Sequence, residues 1–111
     1  MDGKVDYFCA SVGSGGQFVG ASRYLKNKNP DIKCFGVEPE NAAILSTGTV
    51  TTGKHIIQGT GYSIVPPKMD WDVCDGIITV SDKDCRKTTK ALSAKEGCYV
   101  GYSAGANVWA A

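Results

Sequence analysis

Two periods of apolar and polar residues alternate along the chain. Tyr7-Phe8-Cys9-Ala10-Ser11-Val12 is a short apolar run that stops at glycines, as a strand buried on both faces does. From Gln17 onward, Phe18, Ala21, Ser22 and Leu25 fall at i, i+3, i+4 and i+7. That gives a helix one face for a sheet and leaves Lys26, Asn27 and Lys28 to water. Asn29-Pro30-Asp31 stops the helix, because proline cannot continue it. Ile32-Lys33-Cys34-Phe35-Gly36-Val37 reads as a second strand closed by Glu38-Pro39, so residues 7–38 form a β-α-β unit with parallel strands.

A short helix is expected from Glu40 to Ser46, ended by Thr47-Gly48, and then a long polar, Gly/Pro-rich connection over 49–75. Connections of that length are uncommon in small domains and are usually functional or disordered, which draws attention to Gln58-Gly59-Thr60-Gly61-Tyr62. Gly76-Ile77-Ile78-Thr79-Val80 reads as a third buried strand. Ser81 caps the next helix with Asp84 three residues on; Cys85, Thr89 and Leu92 line its inner face, and Gly97 ends it. Cys98-Tyr99-Val100 is expected to be a fourth strand, with a last helix opening around Ser103. The order predicts an α/β fold, three layers α/β/α around a parallel sheet, with residues 1–111 as a single domain.

Composition narrows the partners. Lys+Arg 12 against Asp+Glu 11 gives a formal net charge of +1, with no block of either sign to attract nucleic acid or anionic lipid. Met1-Asp2-Gly3-Lys4-Val5-Asp6 is too charged for a signal-peptide core, and no stretch is long and apolar enough to span a bilayer, so a cytoplasmic protein is expected. The five cysteines (Cys9, Cys34, Cys74, Cys85, Cys98) are odd in number and lack a Cys-x-x-Cys pair; they read as reduced, mostly buried thiols, with no metal site.

Candidate chemistry begins at Gly13-Ser14-Gly15-Gly16. A strand, a glycine turn and a helix start bring amide N–H groups together beside the positive end of the helix dipole, which suits a phosphate; a tight turn needing glycine for its backbone angles alone is the plain alternative. A dinucleotide fingerprint would need glycine where Phe18 stands, and Glu38 before Pro39 reads better as a strand end and helix start than as a ribose ligand. Gly101-Tyr102-Ser103-Ala104-Gly105 fits a hydrolase nucleophile elbow in form, but no Asp, Glu or His follows Ser103, and the sole histidine, His55, lies upstream and reads as an exposed surface residue. Ser103 is better placed as a hydroxyl at a helix N-terminus near the strand ends.

Taken in order, Val12 to Gln17, Arg23-Tyr24-Leu25-Lys26, Asn29 to Lys33, Gly36-Val37-Glu38-Pro39, Ile57-Gln58-Gly59-Thr60-Gly61, Thr79-Val80-Ser81-Asp82 and Gly101 to Gly105 resemble the cysteine synthase and cystathionine β-synthase family of fold-type-II pyridoxal-phosphate enzymes. The resemblance covers nearly the whole chain and implies the phosphate-binding portion of a tryptophan synthase β-like fold. It implies that Gly13, Ser14, Gly15, Gly16 and Gln17 hold the cofactor phosphate, that Gly59 belongs to a glycine loop beside the cofactor, and that Ser103 hydrogen-bonds the pyridine nitrogen. Gln17 departs from the family, which usually has threonine there. The family's Schiff-base lysine and its substrate-carboxylate loop precede the phosphate turn, and neither Lys4, Lys54 nor Lys68 takes the lysine's place.

The implied chemistry is β-replacement: serine or O-acetylserine combined with sulfide or a thiol to give cysteine or a thioether amino acid. The expected partners are a small amino-acid substrate in a complete enzyme, and a second copy or a full-length family member. Without the lysine the chain alone is expected to be inactive, and the alternative is a truncated, non-catalytic paralogue or isoform with a binding or regulatory role.

Overall fold

A computed structural model describes residues 1–51 and 53–111; Thr52, inside the expected 49–75 connection, lies outside the described residues. The β-α-β unit forms as expected, with β1 at Tyr7–Ser11, α1 at Gly16–Lys28 and β2 at Lys33–Pro39. β1 and β2 run parallel with Cys9 opposite Phe35 and Ser11 opposite Val37. A third strand, β3 (Gly76–Val80), pairs parallel with the other side of β2, placing β2 at the centre of the order β1-β2-β3.

Strand alternation divides the interior into two apolar clusters, one on each face of the sheet. Ala10, Val12, Phe18, Val19, Ile32 and Cys34 gather beneath α1, joined by Phe8 and Leu25. Val37, Ile57, Val80, Cys85 and Ala106 gather on the other side, joined by Cys9 and Ala110. The second cluster is covered by α3 (Asp82–Glu96) and α4 (Tyr102–Ala110), giving the three-layer α/β/α arrangement. The period along α1 thus turns Phe18 and Ser22 fully inward, both at 0% exposure.

Local signals set most boundaries. Ser81 accepts from the Asp84 amide (3.1 Å) and donates to its carboxylate (2.7 Å), so both sides of the cap are satisfied at the start of α3. Left-handed Gly97 closes the same helix. The expected helix over 40–46 is split instead: a 3-10 turn at Glu40–Ala42 and a short α2 at Ile44–Thr47, broken by the non-helical backbone of Ala43.

The fourth strand does not form. Gly97 ends α3 and Gly101 begins α4, leaving three residues to cross between two helices that pack closely on each other. A methyl at Gly105 would strike the Thr89 side chain and the Cys85 carbonyl. Residues 98–100 pair with no strand of the sheet; they serve as the link between the two helices, and Tyr99 is 96% exposed. The thiols follow the same layering: Cys34 and Cys85 are buried, Cys9 and Cys74 half-buried, and Cys98 exposed, all of them free.

Candidate functional site

β1 delivers the chain directly into the glycine turn. Val12 stays on the ladder, its amide donating to Val37 O at 3.0 Å, and Gly13-Ser14-Gly15 then swing into α1. Gly15 has φ 84°, a left-handed conformation that favours glycine. A side chain there would also be tight, since a Cβ would lie 3.3 Å from the Met69 amide nitrogen. The first intrahelical bond runs from Val19 N–H to Gly15 O (2.9 Å), so the amides of Gly16, Gln17 and Phe18 have no carbonyl four residues back. Gly16 N–H lies 3.4 Å from the Ser14 hydroxyl oxygen. Ser14, Gly16 and Gln17 are exposed, so this set of donors opens to solvent at the positive end of α1.

The site fits a phosphate by a test of space as well. A Cβ on Gly16 would stand 3.6 Å from Ser14 Oγ and 3.9 Å from Lys68 Cδ, which makes the missing side chain the floor of a cup between those two residues. Gly13 serves a different purpose. A Cβ there is blocked by the carbonyl oxygen of Gly59, so the two glycine segments meet backbone to backbone. Gly59 is left-handed (φ 84°), and its turn is held by the buried Thr60 hydroxyl donating to Ile57 O at 2.7 Å. Beside the contact a cleft of about 320 Å³ opens, lined by Gly13, Ser14, Tyr62, Ile64, Pro66, Pro67 and Lys68. That is within the size range of small-molecule sites, roughly 300–1,000 Å³.

Ion pairs brace the helix that presents the cup. Both Arg23 Nε and Nη2 reach Asp70 Oδ2 at 3.0 and 2.6 Å. Lys26 Nζ reaches Asp75 Oδ2 at 2.7 Å, and the same oxygen accepts the Cys34 amide at 2.7 Å. The Lys26 hydrogen bond, followed by that of the Cys34 amide, holds the Asp75 carboxyl below the usual carboxylate range. Asp75 therefore ties α1, β2 and the start of β3 together.

Ser103 lies on the first turn of α4 and is exposed. Its helix is anchored one turn later: the Ser11 amide, at the end of β1, donates to Asn107 Oδ1 at 2.8 Å. The structure thus joins Gly13 to Gly16 with Gly59 in direct contact and ties the helix of Ser103 to the strand that feeds the turn. Gln17 lies on the first turn of α1 and is exposed.

Two readings of the sequence are decided here. The Glu38 carboxylate is 2% exposed and accepts the Leu45 and Ser46 amides at 2.8 Å each, capping α2 and leaving no role on a ribose. His55 is not an exposed surface residue: it is half-buried, its Nδ1 is shielded from solvent, and its Nε2 packs behind Gly61 at 2.7 Å from where a Cβ would stand. Sequence reasoning passed over Asn107, and it weighed Lys68 only as a Schiff-base lysine, not as a neighbour of the glycine turn. A lone amide in the apolar run Ala104 to Trp109 was the available signal for the first, and the Pro66-Pro67 turn for the second.

Comparison with known proteins identifies the family and the fold. A family model described as pyridoxal-phosphate dependent enzyme matches residues 1–111. Cysteine synthase B of Campylobacter jejuni is 43% identical over 111 residues, covering 100% of this chain and 36% of that protein. The O-acetylserine dependent cystathionine beta-synthase of Bacillus subtilis is 39% identical over 111 residues, 100% of this chain and 35% of its own length. The crystal structure of a cysteine synthase from Entamoeba histolytica superposes with a TM-score of 0.90 at 36% identity, over 96% of this chain and 31% of that one. The chain spans about a third of the length of the curated relatives it matches. Its parallel sheet and helices are the corresponding part of a type-II pyridoxal-phosphate fold. The chain belongs to the family of pyridoxal-phosphate-dependent enzymes, whose close relatives here are cysteine synthases.

Proposed function

We propose that residues 1–111 form the cofactor-phosphate portion of a β-replacement enzyme of the cysteine synthase type. The observation that carries the reading is the cup at the N-terminus of α1, where Ser14 Oγ and the first-turn amides converge around the bare Cα of Gly16. Pyridoxal phosphate, when bound, supplies an electron-withdrawing ring that makes the Cα proton and β-substituent of an amino acid labile. The remaining work falls to the protein. The amides of Gly15, Gly16 and Gln17 bind the phosphate, and the Ser14 hydroxyl adds a donor. The Gly59 turn, pressed on Gly13, fixes one wall of the cleft. Ser103 places a neutral hydroxyl at the pyridine nitrogen. A carboxylate there would hold that nitrogen protonated; serine does not, and this suits β-elimination and replacement better than transamination.

In this reading the substrate is serine or an O-activated serine and the acceptor is sulfide or a thiol. By the resemblance, the lysine that holds the cofactor covalently precedes the phosphate turn, and in this reading residues 1–111 bind without turning over. A second reading, a non-catalytic partner of full-length family members, draws on the exposed large apolar residues of α4 and the link before it, Tyr99 (96%), Val108 (49%), Trp109 (43%) and Tyr102 (43%).

Thermal melting with pyridoxal phosphate or a nicotinamide dinucleotide tests the assignment, since a ligand that binds only the folded chain raises the melting temperature. A rise with pyridoxal phosphate alone supports it. A rise with the dinucleotide alone overturns it.

A further inference from the structure

Lys68 occupies a built position. Pro66 to Met69 form a hydrogen-bonded turn, with the Met69 amide donating to Pro66 O at 2.9 Å and Pro67 fixing the backbone of the second position. The turn is seated on the glycine turn: a Cβ on Gly15 would lie 3.3 Å from Met69 N and 3.5 Å from the Lys68 carbonyl carbon. The Lys68 stem then passes over α1's first residue, with Cδ 3.9 Å from the place of a Gly16 Cβ. Lys68 also borders both cavities that flank this helix end, the cleft shared with Gly13 and Ser14 and the open groove shared with Gly16 and Arg23.

Asp70, the nearest carboxylate along the chain, is held by Arg23 and by the Asp72 amide. The ion pairs among the described residues are Arg23–Asp70, Lys26–Asp75 and Lys33–Asp75, and Lys68 takes part in none of them. A cation on a flexible stem thus stands at the rim of a cup whose other donors are neutral amides and one hydroxyl.

We propose that Lys68 is a phosphate-binding residue of this site, its ammonium group closing the cup opposite Ser14 and contacting the phosphate ester dianion that the amides of Gly15, Gly16 and Gln17 cradle. The proposal rests on the phosphate reading of the turn given above. Lysine acts here as a mobile point charge and requires no fixed fork geometry.

The test uses pyridoxine 5′-phosphate and pyridoxine, which lack the aldehyde and cannot condense with surface amines. Dissociation constants are measured calorimetrically for the wild-type chain, Lys68→Gln and Lys68→Arg, at low salt and with added sodium chloride. Lys68→Gln is expected to weaken the phosphate ester by roughly 3- to 10-fold, as for a partly solvated charge-assisted hydrogen bond. It should leave pyridoxine binding and the melting temperature unchanged and flatten the salt dependence, while Lys68→Arg retains most of the affinity. Wild-type affinity for the ester in Lys68→Gln overturns the role of Lys68 and leaves the phosphate site standing. A wild-type chain that binds ester and alcohol equally overturns the phosphate site itself, and the proposal with it.

Discussion

Gly13 and Gly16 lie three residues apart in one turn, yet replacing each with alanine is expected to have opposite consequences. At Gly13 the new methyl meets the Gly59 carbonyl oxygen, a backbone atom that no side-chain rotation can move aside. The glycine segments must separate, at a cost of about 1–3 kcal/mol for forced overpacking. For a domain of this size each kcal/mol lowers the melting temperature by about 4–8 °C, so Gly13→Ala should melt roughly 5–20 °C below wild type. At Gly16 the nearest atoms to the methyl are Ser14 Oγ at 3.6 Å and Lys68 Cδ at 3.9 Å, both ordinary van der Waals distances. Helix propensity favours alanine over glycine by up to about 1 kcal/mol, so Gly16→Ala should melt at or slightly above the wild-type temperature. Its methyl nevertheless fills the floor of the cup and should weaken pyridoxine 5′-phosphate at least 10-fold. Circular dichroism melts and calorimetric titration of both variants check the pair. A Gly16→Ala chain that binds as wild type would refute the location of the phosphate, and a Gly13→Ala chain that melts as wild type would refute the close meeting of the two turns.

Asp75→Asn should destabilise the chain by about 1 kcal/mol near neutral pH, because a neutral amide makes a weaker partner for Lys26 and Cys34 N–H. The wild-type carboxyl has its pKa lowered on folding, so its contribution is present above the unfolded value and fades as pH falls below about 4; Asp75→Asn should lose that part of the acid dependence in melts from pH 7 to pH 3. Asn107→Ala leaves the Ser11 amide without its acceptor in a half-buried place and should cost about 1–2 kcal/mol, read as a lower urea midpoint. With a thiol reagent at neutral pH, Cys98 should be the one fast-reacting cysteine. Burial shields Cys34 and Cys85 and pushes the Cys85 thiol up in pKa, so their reaction should await unfolding.

Local chemistry made much of this legible in advance. The β-α-β unit followed from the switch between a strand run and the Phe18-Ala21-Ser22-Leu25 period, and the ends of α3 from Ser81, Asp84 and Gly97. The glycine turn could be placed because its residues are adjacent in sequence. The failed strand shows the limit: Cys98-Tyr99-Val100 has a strand's composition, but whether it pairs depends on which strand the fold sets beside it, which no local pattern encodes. His55 looked exposed because it sits in a polar connection, whereas the packing of Gly61 against it is a long-range outcome. Glu38 was ambiguous for a related reason, since only the fold shows that its carboxylate is spent on the Leu45 and Ser46 amides. Lys68 lies more than fifty residues from Gly15, and its relation to the cup appears only once the Pro66 turn is seated on the glycine turn.

The most direct measurement is a nitrogen-15 correlation spectrum of the labelled chain titrated with pyridoxine 5′-phosphate. The largest amide shifts are expected at Ser14, Gly15, Gly16 and Gln17, with smaller changes at Gly59, Lys68 and Ser103, and with inorganic phosphate competing for the same four. Shifts confined to a distant surface, such as the groove between Arg86 and Tyr102, with the glycine turn unmoved, would contradict the account.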